Sequence, residues 1–257
     1  TFLGVLHHVN SNPPADMGVA GEPTKLEMVT ACKGVIRFIV DVTGRGAHAS
    51  QPHEGLDALA ASSRLILHLQ DYIKSTPRTH PTLGPRSLTC TMMQGGEGQN
   101  TVPAHARLTF DMRTLPDQSG EDAWAEINGV VSTFAADALP GFGVTMQPPF
   151  IDSISQQVPH DARIVTEMGA VLAARGLPDT PLAVPFGSDA SKMTKAGTPT
   201  MGGLAIVGGA FLGYVLSDLY RGIYTRTGIF VMLAIVSGGF VGLMDDWIKV
   251  VRERNLG

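Results

Sequence analysis

Lys195-Ala196-Gly197-Thr198-Pro199-Thr200 divides the chain into two characters. Upstream, glycine and proline punctuate what reads as a mixed α/β protein with a polar surface. Downstream, Met201–Ser217 and Thr227–Met244 carry no charge, and Asp218, Arg221 and Arg226 mark the loop between them. At a rise of about 1.5 Å per residue, each run approaches the roughly 30 Å hydrocarbon thickness of a bilayer. Lys192 and Lys195 precede the first run, and Lys249, Arg252 and Arg254 follow the second. Positive charge at both outer ends assigns those ends to the cytoplasmic side. The pattern predicts a two-helix transmembrane hairpin over 201–244. A buried helix pair in a water-soluble core is the alternative, and two adjacent Gly-rich runs with no polar face argue against it.

With 257 residues the chain has room for one large domain or two of ordinary size. A net charge of -4 and a pI near 6.0 exclude a general nucleic-acid binder, because no basic surplus exists to neutralise phosphates. Cys32 and Cys90 are far apart and lack metal-type spacing, so they read as buried thiols in a cytosolic redox setting. The sequence opens at Thr1 without Met, basic n-region or cleavage site, which reads as a fragment or a truncated start. Mean hydropathy is +0.12, and the excess sits mostly after Thr200.

Residues 1–30 are short apolar pieces broken by Asn10-Ser11-Asn12-Pro13-Pro14 and Gly21-Glu22-Pro23-Thr24. Val35-Ile36-Arg37-Phe38-Ile39-Val40-Asp41-Val42 is β-branched with partial alternation and predicts a strand. Leu56, Leu59, Ala60, Leu65, Ile66, Leu69 and Ile73 have helical spacing over 54–74. Further strands are predicted at Ser87–Met93, Ala106–Arg113 and Gly143–Gln147, with Ser119 capping a helix at about 120–138. The order β-α-β-β-α-β is the split βαβ, ferredoxin-like arrangement, an antiparallel sheet with both helices on one face. This unit, 33–149, reads as a domain inserted into another, whose pieces are 1–32 and 150–200. A helix at 159–176 and a strand at Leu182–Pro185 complete the second piece.

Four motifs occur in order: Gly21-Glu22-Pro23-Thr24, Gly46-Ala47-His48-Ala49-Ser50-Gln51-Pro52, Gly98-Gln99-Asn100-Thr101-Val102-Pro103 followed by Asp111-Met112-Arg113-Thr114-Leu115-Pro116, and Gly187-Ser188-Asp189-Ala190. Together they resemble the di-zinc metallopeptidase and deacylase family of acetylornithine deacetylase, succinyl-diaminopimelate desuccinylase and carboxypeptidase G. The resemblance covers about 1–200. It implies a lid and dimerisation domain, a homodimer, and hydrolysis of N-acyl amino acids or peptides. It implies further that Glu22 is a zinc ligand, that His48 reaches a neighbouring subunit's site and steadies an oxyanion, and that Asn100 and Arg113 bind the substrate carboxylate. Ser188 falls near the substrate pocket. Taken alone, Glu22 is as well an ordinary surface residue, His48 a satisfied strand-end histidine, and Arg113 a solvated charge. The family's His-x-Asp and Glu-Glu ligand pairs and its last His ligand have no counterpart here, so Glu22 by itself holds no zinc and no peptidase activity is expected.

Lys195–Gly203 and Gly242-Leu243-Met244-Asp245-Asp246-Trp247 with the runs between them resemble phospho-N-acetylmuramoyl-pentapeptide-transferase over about 195–257. That family transfers a phosphosugar-pentapeptide to a polyprenyl phosphate with Mg²⁺. The resemblance implies that Lys195 and Thr200 face nucleotide or phosphate, and that Asp245 and Asp246 lie near Mg²⁺. Without it, the acidic pair simply marks where a membrane helix meets water. Relatives of the first part also carry an Ala-Gly-x-Pro-Thr segment, so the hexapeptide is common to both families. The leading expectation is a chimeric fragment joined at shared sequence, by recombination or by faulty assembly of reads. It would be a cytoplasmic α/β (α+β) part followed by a hairpin in the cell membrane. A membrane-tethered dimerisation module without catalysis is the remaining alternative.

Overall fold

The computed structural model of the chain describes residues 3–21, 24, 27–188, 190–195 and 200–203. Residues 1–20 and 27–202 form one compact unit; 21–26 and 203–257 form a second, almost all of it outside the described residues. In chain order the elements are α1 (Leu3–Ser11), β1 (Gly18–Gly21), β2 (Met28–Cys32), β3 (Val35–Thr43), β4 (Ala47–His48), α2 (Ala58–Ser75), β5 (Thr79–His80), β6 (Gly84–Pro85), β7 (Ser87–Gly95), β8 (Thr101–Val102), β9 (His105–Arg113), α3 (Gly120–Ala138), β10 (Gly143–Met146), β11 (Ile151–Ser153), β12 (Gln156–Gln157), α4 (Arg163–Ala173), β13 (Leu182–Val184), α5 (Ala190–Lys195) and β14 (Thr200–Gly203).

Alternation in β3 and β9 builds the larger sheet. Ile36, Phe38, Val40 and Val42 face the helices, as do Ala106, Leu108, Phe110 and Met112, and all are buried. Strand order is β10-β3-β9-β7 with every pairing antiparallel, as a split βαβ unit requires. Phe38 and Phe110 stack at 5.4 Å in its centre. α2 is capped by Asp57, whose Oδ1 accepts from Leu59 and Ala60 N–H, and α3 by Ser119, which accepts from Asp122 N–H. Leu65 and Leu69 of α2, and Ala123, Ile127 and Val131 of α3, close the core over one face.

A smaller sheet has the order β1-β14-β2-β12, with β13 parallel to β2. Its central β2 is buried at all five residues, so it shows no alternation and was not read as a strand. Two short crossings, Lys33-Gly34 and Ile154-Ser155 between β11 and β12, join the sheets. At the first, Gly34 and Thr114 exchange backbone hydrogen bonds of 3.1 and 3.3 Å. A Cβ on Gly34 would lie 2.3 Å from Thr114 Oγ1 and 2.5 Å from Ser155 N, so only glycine passes.

Two expectations are corrected. The fold was expected to end in a transmembrane hairpin beginning at Met201. Among the described residues no helix is long and apolar enough to cross a membrane, and Thr200–Gly203 is a strand lying between β1 and β2. Pairing with neighbours on both sides satisfies the backbone of this segment, and Gly202 and Gly203 make a helix unfavourable there. The rest of the expected hairpin lies outside the described residues. The fold described is mixed α/β, and the cell-membrane localisation inferred from the hairpin falls with it. The helix expected at 159–176 is shorter, Arg163–Ala173, and Leu3–Ser11 forms a helix that the broken apolar pattern did not announce.

Candidate functional site

His48 ends β4, which pairs with β8 so that His48 faces Thr101. Ala49 N–H donates to Asn100 O at 2.8 Å, which brings the exposed His48 and Asn100 together at one end of the larger sheet. Ser50 N–H donates to His48 Nδ1 at 3.2 Å, with Ser50 Oγ 2.7 Å from the same nitrogen. Because Nδ1 accepts, the neutral ring carries its proton on Nε2. That N–H has no acceptor among the described residues and is free to donate to a ligand.

Arg113 sits at the opposite end. It follows His105 by eight residues of β9, about 27 Å at 3.4 Å per residue. Its Nε and Nη2 donate to Asp111 at 2.6 and 3.2 Å, and Arg37 Nε donates to the same carboxylate at 2.7 Å. Sequence reasoning passed over Asp111 and Arg37, although the i, i+2 spacing of Asp111 and Arg113 in an alternating strand puts both on the face away from the helices. Lys33, also passed over, is buried beside Arg113, and its Nζ donates to Pro85 O. Burial, and then the Arg113 charge, lower its pKa below the ordinary lysine value.

Ser188 is buried, and its hydroxyl is engaged locally: Oγ accepts from Ala190 N–H at 3.1 Å, while its carbonyl accepts from Ser191 Oγ at 2.8 Å. It shapes the turn into α5. Lys195 closes that helix. Thr200 is fully buried in β14, and its carbonyl accepts from Gln156 Nε2. Glu22, Asp245 and Asp246 lie outside the described residues. The structure therefore brings His48 and Asn100 together and separates both from Arg113. Among the described residues no three His, Cys, Asp or Glu side chains are grouped to hold a metal ion. These side chains do not fit the zinc that the resemblance implies.

A family model described as the peptidase dimerisation domain matches residues 30–138. Over those residues the chain is similar to that family, and the matched stretch takes in all of the larger sheet except β10 and β11. Acetylornithine deacetylase of Vibrio cholerae is 27% identical over 182 residues, 64% of this chain and 48% of that protein. A crystal structure of a tripeptidase from Staphylococcus aureus superposes with a TM-score of 0.63 at 18% identity, covering 79% of this chain and 52% of that one, a likeness of fold. A second model, phospho-N-acetylmuramoyl-pentapeptide-transferase signature 1, matches residues 195–207. The transferase of that name from Frankia alni is 46% identical over 68 residues, 26% of this chain and 19% of that protein. The chain thus spans about half the length of the deacetylases it matches and a fifth of the transferases. Its first part is similar to metallopeptidases and deacylases, and its last part is similar to a phosphosugar transferase.

Proposed function

We propose that the chain contributes the substrate-clamping and dimer-forming part of a zinc amidohydrolase acting on N-acyl amino acids or peptides. Residues 33–149 act as lid and dimerisation domain between two catalytic-domain pieces, 1–32 and 150–200. The separation of His48 and Asn100 from Arg113 carries this reading. His48 and Asn100 sit at the β4–β8 ladder, by the His105 end of β9, and Arg113 at its other end, about 27 Å along the strand, too far apart to hold one small substrate within a protomer. They can do so across a homodimer, where one subunit's Arg113 binds a carboxylate while the partner's tip offers His48 Nε2–H to the developing oxyanion and Asn100 to the substrate. Zinc would supply an activated water in a complete site of that family; Glu22 is the one ligand candidate in this chain, and a single carboxylate does not hold the ion.

Strand β7 supports the dimer. Among the described residues it has one strand neighbour, β9, and Met92 and Met93 are 53% and 40% exposed on it; Leu67 of the adjacent α2 is 61% exposed. An unpaired edge with apolar side chains is a surface a second copy can cover. Sedimentation equilibrium of the full chain at tens of micromolar should return a dimer mass, and Met92→Lys/Met93→Lys a monomer. The same preparation should hold well under one zinc per chain and leave N-acetyl amino acids intact. A monomeric wild type, or a stoichiometric zinc content with turnover, refutes this reading.

The transferase similarity supports a second reading, Mg²⁺-dependent phosphosugar transfer using Lys195, Thr200, Asp245 and Asp246. The burial of Thr200 inside β14 speaks against it, since that side chain cannot reach a nucleotide without leaving the sheet. Transfer of a phosphosugar to a polyprenyl phosphate by the purified chain would reverse the preference.

A further inference from the structure

On the face of the larger sheet turned away from the helices, strands β3 and β9 carry Asp41 and Asp111, and the two carboxylates are neutralised unequally. Asp41 accepts from Arg107 Nε and Nη2 at 2.7 and 3.3 Å and from the uncharged Gln147 at 2.6 Å, one guanidinium to one carboxylate. Asp111 takes two guanidinium groups: Arg37 directly across the strand pair, and Arg113 two residues along its own strand. Lys33, buried beside Arg113, is a third cation at this end. Three cations against one carboxylate leave a formal local charge of +2, in a chain whose net charge is -4.

The donors that Asp111 leaves free decide what this end can bind. Arg37 reaches Asp111 through Nε alone, so its Nη1 and Nη2 have no partner among the described residues, and its side chain is 42% exposed. Arg113 uses Nε and Nη2 on Asp111, and its Nη1 has no partner among the described residues. The two arginines are diagonal neighbours across the β3–β9 pair, about 7–8 Å apart. Asp111 already occupies the place between them, and the charge left over matches two negative groups rather than one. We infer that Arg37 determines specificity: Arg113 binds the carboxylate common to every N-acyl amino acid, and Arg37 binds a second carboxylate on an acidic side chain. The substrate class is then N-acyl aspartate or N-acyl glutamate. This rests on the proposed amidohydrolase reading, in which Arg113 receives a substrate carboxylate. A carboxylate on the free side of Arg37 gains charge-assisted hydrogen bonds, weakened by solvent at so exposed a position.

Isothermal titration of the full chain with N-acetylglutamate and with its uncharged isostere N-acetylglutamine compares two carboxylates with one. Wild type should bind N-acetylglutamate roughly tenfold more tightly. Arg37→Gln should abolish that preference and leave N-acetylglutamine binding unchanged, and Arg37→Lys, which keeps the charge, should keep part of it. Arg107→Gln removes the same charge from the same face and should preserve the preference, which separates contact from net charge. Arg113→Gln should weaken both ligands together. Equal affinities in wild type, a preference that survives Arg37→Gln, or one that Arg107→Gln also abolishes overturns the inference. Each of these leaves the Arg113 reading standing wherever Arg113→Gln weakens N-acetylglutamine. If neither ligand binds wild type, the Arg113 reading fails and the inference with it. Inorganic phosphate competing as tightly as N-acetylglutamate also overturns it, by making the cluster a general anion site.

Discussion

Replacing Glu126 with alanine should cost more stability than replacing Arg86 with methionine, although the same ion pair is lost in both. Arg86 is 1% exposed at its side chain and Glu126 is 22% exposed. In Glu126→Ala the guanidinium stays in the interior without its partner, and Nε already lacks one. An uncompensated buried charge costs about 3–5 kcal/mol. In Arg86→Met the carboxylate that remains touches water and keeps Tyr72 Oη at 2.8 Å and Gln118 Nε2 at 2.8 Å as donors. Its loss is then that of charge-assisted hydrogen bonds, about 1.5–3 kcal/mol. The double replacement Arg86→Met/Glu126→Leu removes both charges and should be no worse than Arg86→Met alone. Urea unfolding of each variant, followed by tryptophan fluorescence from Trp124 on α3, measures all three differences on one baseline. If Arg86→Met proves the costlier single change, or Glu126→Ala costs under about 1 kcal/mol, the exposure argument is wrong.

The same carboxylate predicts an acid dependence. Hydrogen bonding from Arg86 chiefly, against the opposing effect of burial, holds the Glu126 pKa below the ordinary 4.5, so its contribution is complete above that value and is lost as pH falls through the depressed folded value. Urea midpoints of the wild type should therefore drop below about pH 4.5, and drop less steeply in Glu126→Gln. Gly34→Ala should destabilise by several kcal/mol or prevent folding, because the new methyl meets backbone at the crossing; melting temperature reads this directly. Ser188→Ala removes the acceptor for Ala190 N–H and should cost about 1 kcal/mol, with exchange protection falling at the start of α5 rather than in the larger sheet. His48→Ala, at an exposed tip, should leave the urea midpoint within about 0.5 kcal/mol of wild type, and a larger fall would give that ring a structural role.

Much of the lid was legible because its signals are local. One face of β3 and β9 is buried and the other is not, so the side-chain period of two is written directly into Val35–Val42 and Ala106–Arg113. Ser119 before α3 and the apolar spacing along α2 mark helices in the same way. The site was legible only by motif. His48, Asn100 and Arg113 could be named, but their separation, with the β4–β8 ladder at one end of β9 and Arg113 at the other, depends on strand pairing. Asp111 went unremarked because an acidic residue in an alternating strand looks the same whether it faces water or locks two arginines.

Residue pattern alone picked out the long strands β3, β7 and β9, with β10, and the helices α2 and α3, since one-sided burial imposes its period on a stretch long enough to show it; the two-residue strands β4, β5, β6 and β8 are too short for that. Strand order and the fate of Thr200–Gly203 came from contacts between segments far apart in the chain. With two glycines Thr200–Gly203 is a poor helix former, and between β1 and β2 its backbone groups are paired on both sides.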